Sequence, residues 1–312
     1  MRQRRMGTSG LSVSRLALGT MTWGRTTDVE GARDQLRMFL DAGGNLVDTA
    51  HGYSDGASEE IIGRLLDDGV DREDVVICTK SGISRRSGQR VVDTSRHSLL
   101  RQLDTSLERL GTDHVDLWLV HTWSDESPLA ETLSALEWAV ATGRARYVGV
   151  SNFSGWQSAR AFSLLEQSRV PLVANEVEYS LVHRHPEPDL LDAAQALGFG
   201  ILPWSPLGRG VLTGKYRHGV PAASRAASRD FPRFTARYLD DRSTAVVEAL
   251  AIAARGLEVS AAEVALAWVR DRPGVVSPVV GARTTAQLRT SLASEDLELP
   301  AELVAALDEV SD

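Results

Sequence analysis

Short apolar segments of strand length alternate along the chain with longer segments in which apolar residues recur at helical spacing. The segments with the length and apolar content of buried strands are residues 15–18, 46–47, 75–79, 115–120, 147–151, 172–176, 200–204 and 275–280. Helical spacing predicts helices at residues 29–40, 58–66, 93–110, 129–141, 156–167, 187–197, 246–254, 261–269 and 286–292, with Ser58 as the cap of the second. This alternation favours a parallel sheet, because a crossover helix separates consecutive parallel strands.

Eight strand–helix units favour closure of this sheet. We therefore expect an α/β fold of the (β/α)8 TIM-barrel class, whose usual length of about 250 residues leaves room for insertions in a chain of 312. Residues 4–13 contain the turn sequence Gly7-Thr8-Ser9-Gly10, which predicts an N-terminal β-hairpin at the bottom of the barrel. Residues 216–241 are polar and lack periodicity, so we expect a mobile loop that folds over a bound ligand. No repeat or linker divides the sequence, and residues 1–312 are expected to form a single domain.

Composition narrows the classes of function. Hydrophobic residues make up 43% and charged residues 24% of the chain, as in ordinary globular proteins. The formal net charge is -8 without a basic cluster, so nucleic acid is not expected as a partner. No apolar run approaches the length that spans a bilayer, and Arg2, Arg4 and Arg5 are not followed by the apolar segment of a signal peptide. The single cysteine, Cys78, cannot form an internal disulfide, which fits a reducing cytoplasm.

Four polar residues lie at predicted strand ends or in the next loop. Asp48, Lys80 and His121 each follow an apolar strand, and Tyr53 comes shortly after Asp48. The carboxyl ends of parallel strands meet at one end of a barrel, so these side chains can converge. A phenol has an ordinary pKa near ~10, so it is a poor acid at neutral pH until a neighbouring group favours its anion. An ammonium beside the phenol favours its anion, and a carboxylate beside the ammonium holds the ammonium in place.

In this order, Asp48, Tyr53, Lys80 and His121 resemble the catalytic tetrad of the aldo-keto reductase family. The resemblance implies an NADPH-dependent oxidoreductase that reduces an aldehyde or ketone. It also implies that Tyr53 is the general acid, that Lys80 and Asp48 tune its acidity, and that His121 orients the carbonyl group. In the oxidative direction Tyr53 would act as the base. The loops resemble those of the bacterial and potassium-channel-subunit-like branch of the family.

Further segments resemble the cofactor site of that family. The residues expected at the nicotinamide end are Gly19, Thr20, Met21, Asp48, Ser151, Asn152 and Glu176. The segment expected to stack an aromatic ring on the nicotinamide and to cradle the pyrophosphate comprises Trp204, Ser205, Pro206, Leu207, Gly208, Arg209 and Gly210. The residues expected at the adenosine end are Gly281, Arg283, Gln287 and Ser291. The Arg283 guanidinium suits a ribose 2′-phosphate, which favours NADPH and leaves NADH as the alternative.

Two positions depart from the family pattern. Glu176 stands where the family usually has glutamine, and Thr290-Ser291 replaces its adenine-binding Glu-Asn pair. A glutamate accepts a hydrogen bond from the carboxamide NH2 but cannot donate to the carboxamide oxygen unless it is protonated. Both departures concern the affinity for the cofactor more than the chemistry, because all four residues of the tetrad are present.

Substrate recognition in a barrel depends on the loops that follow the strands. Trp23 and Trp123 each come a few residues after a strand end. They are expected to form an aromatic wall for an apolar or sugar-like carbonyl compound, with packing at the barrel rim as the alternative. Residues near Phe231 to Tyr238 are further candidates for the pocket.

Two other functions stay open from the sequence. One is a cofactor-binding regulatory or partner subunit with little turnover, because the channel subunits of the superfamily retain the same tetrad. The other is a lyase or isomerase in which Lys80 is a Schiff-base nucleophile. His183 and His185 have no third ligand near them in the sequence, so no metal site is expected.

Overall fold

The computed structural model of the protein describes residues 1–86, 88–222, 224–227 and 234–312. The strands in these residues are β1 (Gln3–Arg5), β2 (Ser12–Ser14), β3 (Ala17–Gly19), β4 (Leu46–Asp48), β5 (Val76–Ser81), β6 (Ile83–Arg86), β7 (Gln89–Val92), β8 (Val115–Val120), β9 (Ala145–Ser151), β10 (Leu172–Glu178), β11 (Gly200–Trp204) and β12 (Val279–Gly281). The α-helices are α1 (Val29–Asp41), α2 (Ala57–Asp67), α3 (Arg96–Leu110), α4 (Leu129–Ala141), α5 (Gly155–Gln167), α6 (Asp192–Leu197), α7 (Asp241–Gly256), α8 (Ala261–Arg270), α9 (Thr285–Ala293) and α10 (Ala301–Ser311).

Eight parallel strands form a closed barrel in the order β10, β11, β12, β3, β4, β5, β8 and β9. The ring closes between the last and the first of these strands in the sequence, where Val279 pairs with Ala17. The α-helices pack around the outside of this barrel and against one another. The fold is therefore the (β/α)8 TIM barrel that the alternation of strands and helices predicted.

The strands separate two cores because their side chains alternate in direction. Outward residues such as Val47 and Trp118 pack with the helices, whereas inward residues such as Leu46 and Cys78 fill the barrel axis. A polar residue two positions after an inward apolar one therefore faces the axis as well. Asp48 follows Leu46 in this way, and Lys80 follows Cys78. The same alternation that fills the core thus directs these two charged side chains into the end of the barrel.

The predicted N-terminal hairpin is confirmed. Its strands β1 and β2 are antiparallel, with Arg4 paired to Val13. Met6 and Val13 are completely buried and belong to the inner core of the barrel. The Thr8 amide donates to the carbonyl of Gly198, 2.8 Å away, just before β11 begins. The hairpin therefore closes the amino-terminal end of the barrel.

Local hydrogen bonds move several predicted boundaries. The helix predicted from residue 93 begins at Arg96, because the Ser95 side chain caps it by accepting from the Ser98 amide. Between the preceding strand and this cap lies the β6–β7 hairpin, which the apolar pattern did not predict because its strands contain mainly polar residues. The C-terminal helix α10 was also missed. The strand predicted from residue 275 begins at Val279, and α7 begins at Asp241 instead of residue 246.

The prediction of Ser58 as a helix cap is wrong. Ser58 lies inside α2, whose N-cap is Gly56. Its buried hydroxyl contacts the hydroxyls of Thr20 and Thr49 at 2.7 and 2.9 Å. Ser58 therefore joins α2 to the ends of β3 and β4, and its hydrogen bonds are tertiary ones that a local capping rule does not consider.

Part of the polar segment 216–241 lies outside the described residues, namely residues 223 and 228–233. The described part contains turns and short 3-10 segments, and it leads directly into α7. Its predicted mobility and its closure over a ligand stay predictions. Among the described helices, none combines the length and the apolar character needed to cross a membrane.

The hairpin plug gives a stability prediction. Gly7 has φ +57, and a Cβ atom there would lie 2.3 Å from the Gly198 carbonyl oxygen. The Gly7→Ala variant should therefore lose roughly 1–2 kcal/mol from left-handed strain and a further 1–3 kcal/mol, approximately, from overpacking. Unfolding in urea, followed by circular dichroism, measures the loss.

The matched control for this variant is Gly111→Ala. Gly111 has a similar φ of +64, but a Cβ there would approach only the Asp67 carboxylate, at 4.0 Å. The control should show the strain alone. Equal losses in the two variants would contradict close packing of the hairpin against the barrel.

Candidate active site

The four residues of the predicted tetrad lie together at the carboxyl-terminal end of the barrel. Asp48 is the last residue of β4, Lys80 is the penultimate residue of β5, and His121 directly follows β8. These three strands are neighbours in the barrel. Tyr53 begins the short 3-10 segment Tyr53–Gly56 between β4 and α2. Three neighbouring strands and one connecting turn therefore assemble the site.

Lys80 is the centre of this site and is completely buried. Its ammonium hydrogen-bonds the Asp48 carboxylate and donates to the Thr49 carbonyl at 2.9 Å. A second carboxylate oxygen, Glu176 Oε2, lies 3.1 Å from the same nitrogen. Burial alone would lower the pKa of Lys80, but the charges of Asp48 and Glu176 outweigh burial and hold this pKa well above its ordinary value. Lys80 is therefore an ammonium at neutral pH.

The position of Glu176 differs from the expectation that it serves the cofactor alone. Glu176 is only 1% exposed and faces Lys80. Burial raises the pKa of Glu176 to about 8, with a further contribution from the negative charge of Asp48, and the Lys80 ammonium opposes both. Sequence reasoning missed the contact with Lys80. The available signal was the alternation of β10, in which Glu176 follows the inward residue Ala174 by two positions.

The Tyr53 ring lies between Lys80 and His121. The Lys80 ammonium is 5.2 Å from the centroid of the phenol ring, and the imidazole centroid of His121 is 5.9 Å from it. Burial raises the pKa of the Tyr53 phenol more than the Lys80 charge lowers it, and Asp48 and Glu176 raise it further. The sequence argument anticipated only the lowering by Lys80. Tyr53 is therefore protonated at neutral pH and can donate a proton.

The turn that carries Tyr53 is fixed from the outer ring of helices. Arg109 of α3 donates to the His51 carbonyl at 3.0 Å and to the completely buried Glu59 carboxylate at 3.1 Å. Glu59 also accepts from the Thr79 hydroxyl at 2.6 Å. Gly56 has φ +106, which strains any residue with a Cβ, and a Cβ there would also displace the Arg109 guanidinium, whose carbon would be 2.3 Å away. Sequence analysis did not identify this network, because its members are far apart in the chain.

His121 is held as a neutral imidazole. Burial lowers its pKa well below the ordinary value, and the positive charges of Lys80 and Arg90 lower it further. Its Nδ1 is buried and has no hydrogen-bond partner among the described residues. Its backbone carbonyl accepts from Asn152 Nδ2 at 3.0 Å, which joins β8 to the end of β9.

The nicotinamide-end candidates of β9 and β11 are brought together. The Trp204 indole nitrogen donates to Asn152 Oδ1 at 3.0 Å. The Ser151 hydroxyl donates to the backbone carbonyl of Glu176 at 2.9 Å. Asn152 has φ +59, a left-handed conformation that asparagine tolerates better than most residues. These bonds place Ser151, Asn152 and Trp204 beside the tetrad.

The first-strand candidates border the same end of the barrel. Gly19 ends β3 and pairs with both Asp48 and Gly281. The Thr20 hydroxyl donates to the Asp48 carbonyl at 2.9 Å, and Met21 follows as a half-buried residue. These candidates therefore lie beside the Asp48 side of the tetrad.

The segment from Ser205 to Gly210 forms a tight turn. Its positive φ angles are +52 at Ser205, +55 at Gly208, +58 at Arg209 and +95 at Gly210. The Gly208 amide donates to the Ser205 carbonyl at 2.8 Å, and the Gly210 amide donates to Leu207 at 2.9 Å. These left-handed residues turn the backbone sharply after β11, and two of the amides of the turn are satisfied within it.

The Arg209 guanidinium is held by other residues and is not directed into this turn. It makes two 2.7 Å hydrogen bonds to the Glu178 carboxylate and donates to the Phe234 carbonyl at 2.8 Å. The buried Tyr238 hydroxyl donates to the same carboxylate at 2.9 Å. Tyr238 is therefore a structural residue, and Phe231, the other named end of this pocket candidate, lies outside the described residues.

The adenosine-end candidates lie just before α9 and along it. The Arg283 amide donates to Gln287 Oε1 at 3.0 Å, and the Ser291 hydroxyl donates to the Gln287 carbonyl at 3.2 Å. Thr290 donates to the carbonyl of Ala286 within the same helix. Gly281 ends β12, and Arg283 and Gln287 lie at the start of the helix that follows. Ser291 lies near the other end of that helix.

The two tryptophans of the expected aromatic wall differ. Trp23 is 0% exposed, and its indole nitrogen donates to Gln35 Oε1 at 3.0 Å. Its ring belongs to the outer core, so the packing alternative is the one the structure favours. Trp123 is half-buried and packs edge-on against Phe153 and the exposed Trp156, at centroid distances of 5.2 and 5.3 Å. Trp123 therefore remains partly accessible, in the loop that follows His121 in the chain.

Two carboxylate oxygens and a cysteine sulfur, which are atom types that can bind metals, also lie close together at the tetrad. They belong to Asp48, Cys78 and Glu176 and lie within 4.8 Å of one another. The Lys80 ammonium contacts both carboxylates, so it already supplies positive charge to this group. The grouping is a consequence of three inward positions on adjacent or facing strands, and the sequence analysis did not anticipate it.

Comparison with known proteins agrees with this geometry. A sequence model of the Aldo/keto reductase family matches residues 15–312. The chain belongs to this family. The match spans every strand of the barrel and all four residues of the tetrad.

Similar aldo/keto reductases carry several names. A "Probable voltage-gated potassium channel subunit beta" of Oryza sativa subsp. japonica is 36% identical, over 95% of this chain and 92% of that protein. An "Uncharacterized oxidoreductase YrpG" of Bacillus subtilis is 35% identical, over 98% and 94% of the two chains. An "L-glyceraldehyde 3-phosphate reductase" of Escherichia coli K12 is 34% identical, over 94% and 87%.

The environment of His121 gives a prediction about protonation. An ordinary histidine titrates near ~6.5, but the pKa of His121 lies well below that value because its ring is desolvated and feels the positive charges of Lys80 and Arg90. Its imidazole resonance should therefore stay unchanged between about pH 5.5 and pH 8 in an NMR titration. The His121→Asn variant assigns the resonance by its loss. A midpoint near the ordinary value would show that the ring is charged in the acidic half of this range.

Proposed function

We propose that the protein is an NADPH-dependent oxidoreductase that reduces the carbonyl group of an aldehyde or a ketone to an alcohol. The observation that carries the proposal is the meeting of a protonated phenol, a charged ammonium and a neutral imidazole at the open end of the barrel. Relatives named as an oxidoreductase and as a reductase support this chemistry.

The proton in this reaction comes from Tyr53. Its O–H bond breaks as the O–H bond of the alcohol forms. A nicotinamide cofactor, when bound, would supply the hydride to the carbonyl carbon. The Lys80 ammonium stabilises the phenolate left behind, and solvent returns the proton to it. His121, as a neutral imidazole, donates one hydrogen bond to the carbonyl oxygen and fixes its direction. In the reverse direction the phenolate accepts the proton.

The residues at the tetrad fit the nicotinamide of such a cofactor. Glu176 Oε2 is buried and lies 3.1 Å from the Lys80 ammonium without a well-aligned hydrogen bond to it, so this oxygen can still accept from a carboxamide NH2. Trp204 is fixed through Asn152 and supplies a flat ring beside the site. A Cβ on Gly210 would lie 2.9 Å from the Lys215 ammonium, so positive charge adjoins the glycine turn, as a pyrophosphate requires.

The burial of Lys80 argues against the Schiff-base alternative. A lysine nucleophile must be neutral to attack a carbonyl carbon. Here the ammonium contacts two carboxylates, and its pKa is raised. We therefore place Lys80 with the proton donor and not with a covalent intermediate.

The regulatory alternative is favoured by one observation, the similarity to a probable potassium channel subunit. Both functions require the cofactor, so cofactor binding does not distinguish a reductase from a regulatory subunit. Measured turnover of a carbonyl substrate distinguishes them. We propose substrates with an apolar or aromatic group next to the carbonyl, because Trp123 is partly accessible in the loop that follows His121. A panel of aromatic and aliphatic aldehydes and ketones, with nitrobenzaldehyde included, tests this directly.

Replacing the proton donor gives the main test. Tyr53→Phe should reduce the rate of NADPH oxidation by about 10²–10⁴-fold, the usual contribution of a positioned acid or base. Quenching of protein fluorescence by NADPH should persist, because only the hydroxyl is removed. Tyr147→Phe is the matched control, since Tyr147 packs near the N-terminal hairpin at the other end of the barrel. A Tyr53→Phe variant with the parent rate would refute the assignment of the acid.

The preference for NADPH rests on Arg283. Arg283→Ala should weaken NADPH binding by roughly tenfold or more and change NADH binding little, since a hydrogen bond to a charged group contributes about 1.5–3 kcal/mol. Fluorescence titration with both cofactors measures this. Arg160→Ala, which removes an exposed arginine of α5, is the control. An equal loss for both cofactors in Arg283→Ala would reject contact with the 2′-phosphate.

A further inference from the structure

The site holds one more carboxylate than the proposed proton transfer uses. Asp48 hydrogen-bonds the Lys80 ammonium from β4, and Glu176 reaches the same ammonium from β10, with Oε2 3.1 Å from Nζ. Lys80 is 0%, Glu176 1% and Asp48 3% exposed. Water therefore does not solvate any of the three charges appreciably.

Charge balance limits the protonation of this group. With all three residues ionised, the buried cluster would carry a net charge of −1. An unbalanced charge in a poorly solvated site is costly, and groups in such sites usually change their protonation instead. One proton shared by Asp48 and Glu176 leaves the cluster neutral, with Lys80 still charged. Either carboxylate alone then suffices as the counter-ion.

We propose that Glu176 is a second counter-ion of Lys80, able to replace Asp48 as the carboxylate that holds the ammonium beside Tyr53. This inference rests on the proposed function, because it makes Glu176 a positioning residue that acts on the Tyr53 proton through Lys80. It assigns to the position a role in proton transfer in addition to contact with the cofactor.

The groups that face Glu176 come from three other parts of the site. They are Asp48 on β4, Cys78 and Lys80 on β5, and Tyr53 on the turn after β4. On β9, the neighbouring strand, the register partner of Glu176 is the uncharged Ser151. Burial and Asp48 raise the pKa of Glu176 to about 8, so Glu176 is the carboxyl that carries the proton at neutral pH.

Ionisation of Glu176 has a definite direction of effect on Tyr53. Below pH 8 the cluster is neutral, and the developing phenolate is stabilised by Lys80 without opposition from Glu176. Above pH 8 the Glu176 carboxylate adds a negative charge near the phenol, which raises the pKa of Tyr53 and makes it a weaker acid. Reduction should therefore slow as the pH rises through this region.

The first experiment compares pH profiles of carbonyl reduction. If ionised Glu176 raises the pKa of Tyr53 by about one unit, the phenol becomes about tenfold weaker as an acid. Between about pH 6 and pH 10, kcat of the parent enzyme should therefore fall about tenfold more than kcat of Glu176→Gln. Each profile is normalised to its own value at acidic pH. Glu166→Gln, at an exposed glutamate of α5, should keep the parent profile. Identical profiles for the parent and Glu176→Gln would overturn the proposal.

The second experiment is a double-mutant cycle. Asp48→Asn should leave Glu176 to ionise and hold Lys80, and Glu176→Gln should leave Asp48 to do so. The double variant leaves the ammonium without a carboxylate, so its loss of kcat should exceed the product of the two single losses by about tenfold or more. A loss equal to that product would show that the two carboxylates do not substitute for each other. Circular dichroism and NADPH binding verify the fold, and if the double variant does not fold, the pH profiles and the infrared measurement decide.

A third measurement needs no turnover. The infrared difference between the parent and Glu176→Gln at neutral pH should contain the C=O stretch of a protonated carboxylic acid, and this band should disappear above about pH 8. In the Asp48→Asn background, the same comparison should show an ionised carboxylate instead. An ionised Glu176 in both backgrounds at neutral pH would reject the exchange, whatever the activity. Failure of the Tyr53→Phe test with these bands present would refute only the proposed function.

Discussion

A buried ammonium requires a compensating negative charge, and the open end of this barrel is arranged around that requirement. Lys80 is fully enclosed, and carboxylates approach it from two strands on different sides of the axis. Tyr53 and His121 then acquire their protonation states from the same surroundings, since burial keeps the phenol protonated and the imidazole neutral. Of the described ionisable side chains around Lys80, Glu176 is the one whose charge at neutral pH differs from that of an isolated side chain. Burial and the charge of Asp48 move Glu176 towards its protonated form.

Much of this arrangement could be predicted from the sequence because two simple regularities coincide. The alternation of apolar strands and amphipathic helices specified the barrel, and the polar residues at strand ends specified where the tetrad meets. Within a strand, the inward column of side chains continues from the core to the site, as in Leu46 and Asp48 or Cys78 and Lys80. The apolar residues that identify the inward face of a strand therefore also predict which polar residue at its end enters the site.

The features that could not be predicted depend on contacts between residues distant in the chain. Glu176 contacts Lys80 because β10 and β5, three strands apart in the ring, direct these side chains into the same end of the barrel, and no local pattern predicts this contact. Arg109 fixes the turn of Tyr53 from the outer ring of helices. Ser58 forms tertiary hydrogen bonds instead of capping a helix, and Trp23 packs in the core although it follows a strand end. Polar hairpins such as β6–β7 carry too little apolar pattern to be recognised.

The hairpin that closes the amino-terminal end determines how reactants and products reach and leave the site. Met6 fills the barrel axis at that end, so the site opens only at the carboxyl-terminal end of the barrel. Reactants, products and the water that returns a proton to the phenol must all pass through that one opening. Whatever arrives first therefore obstructs what comes later, and the departure of a product depends on the same rim that admitted its precursor.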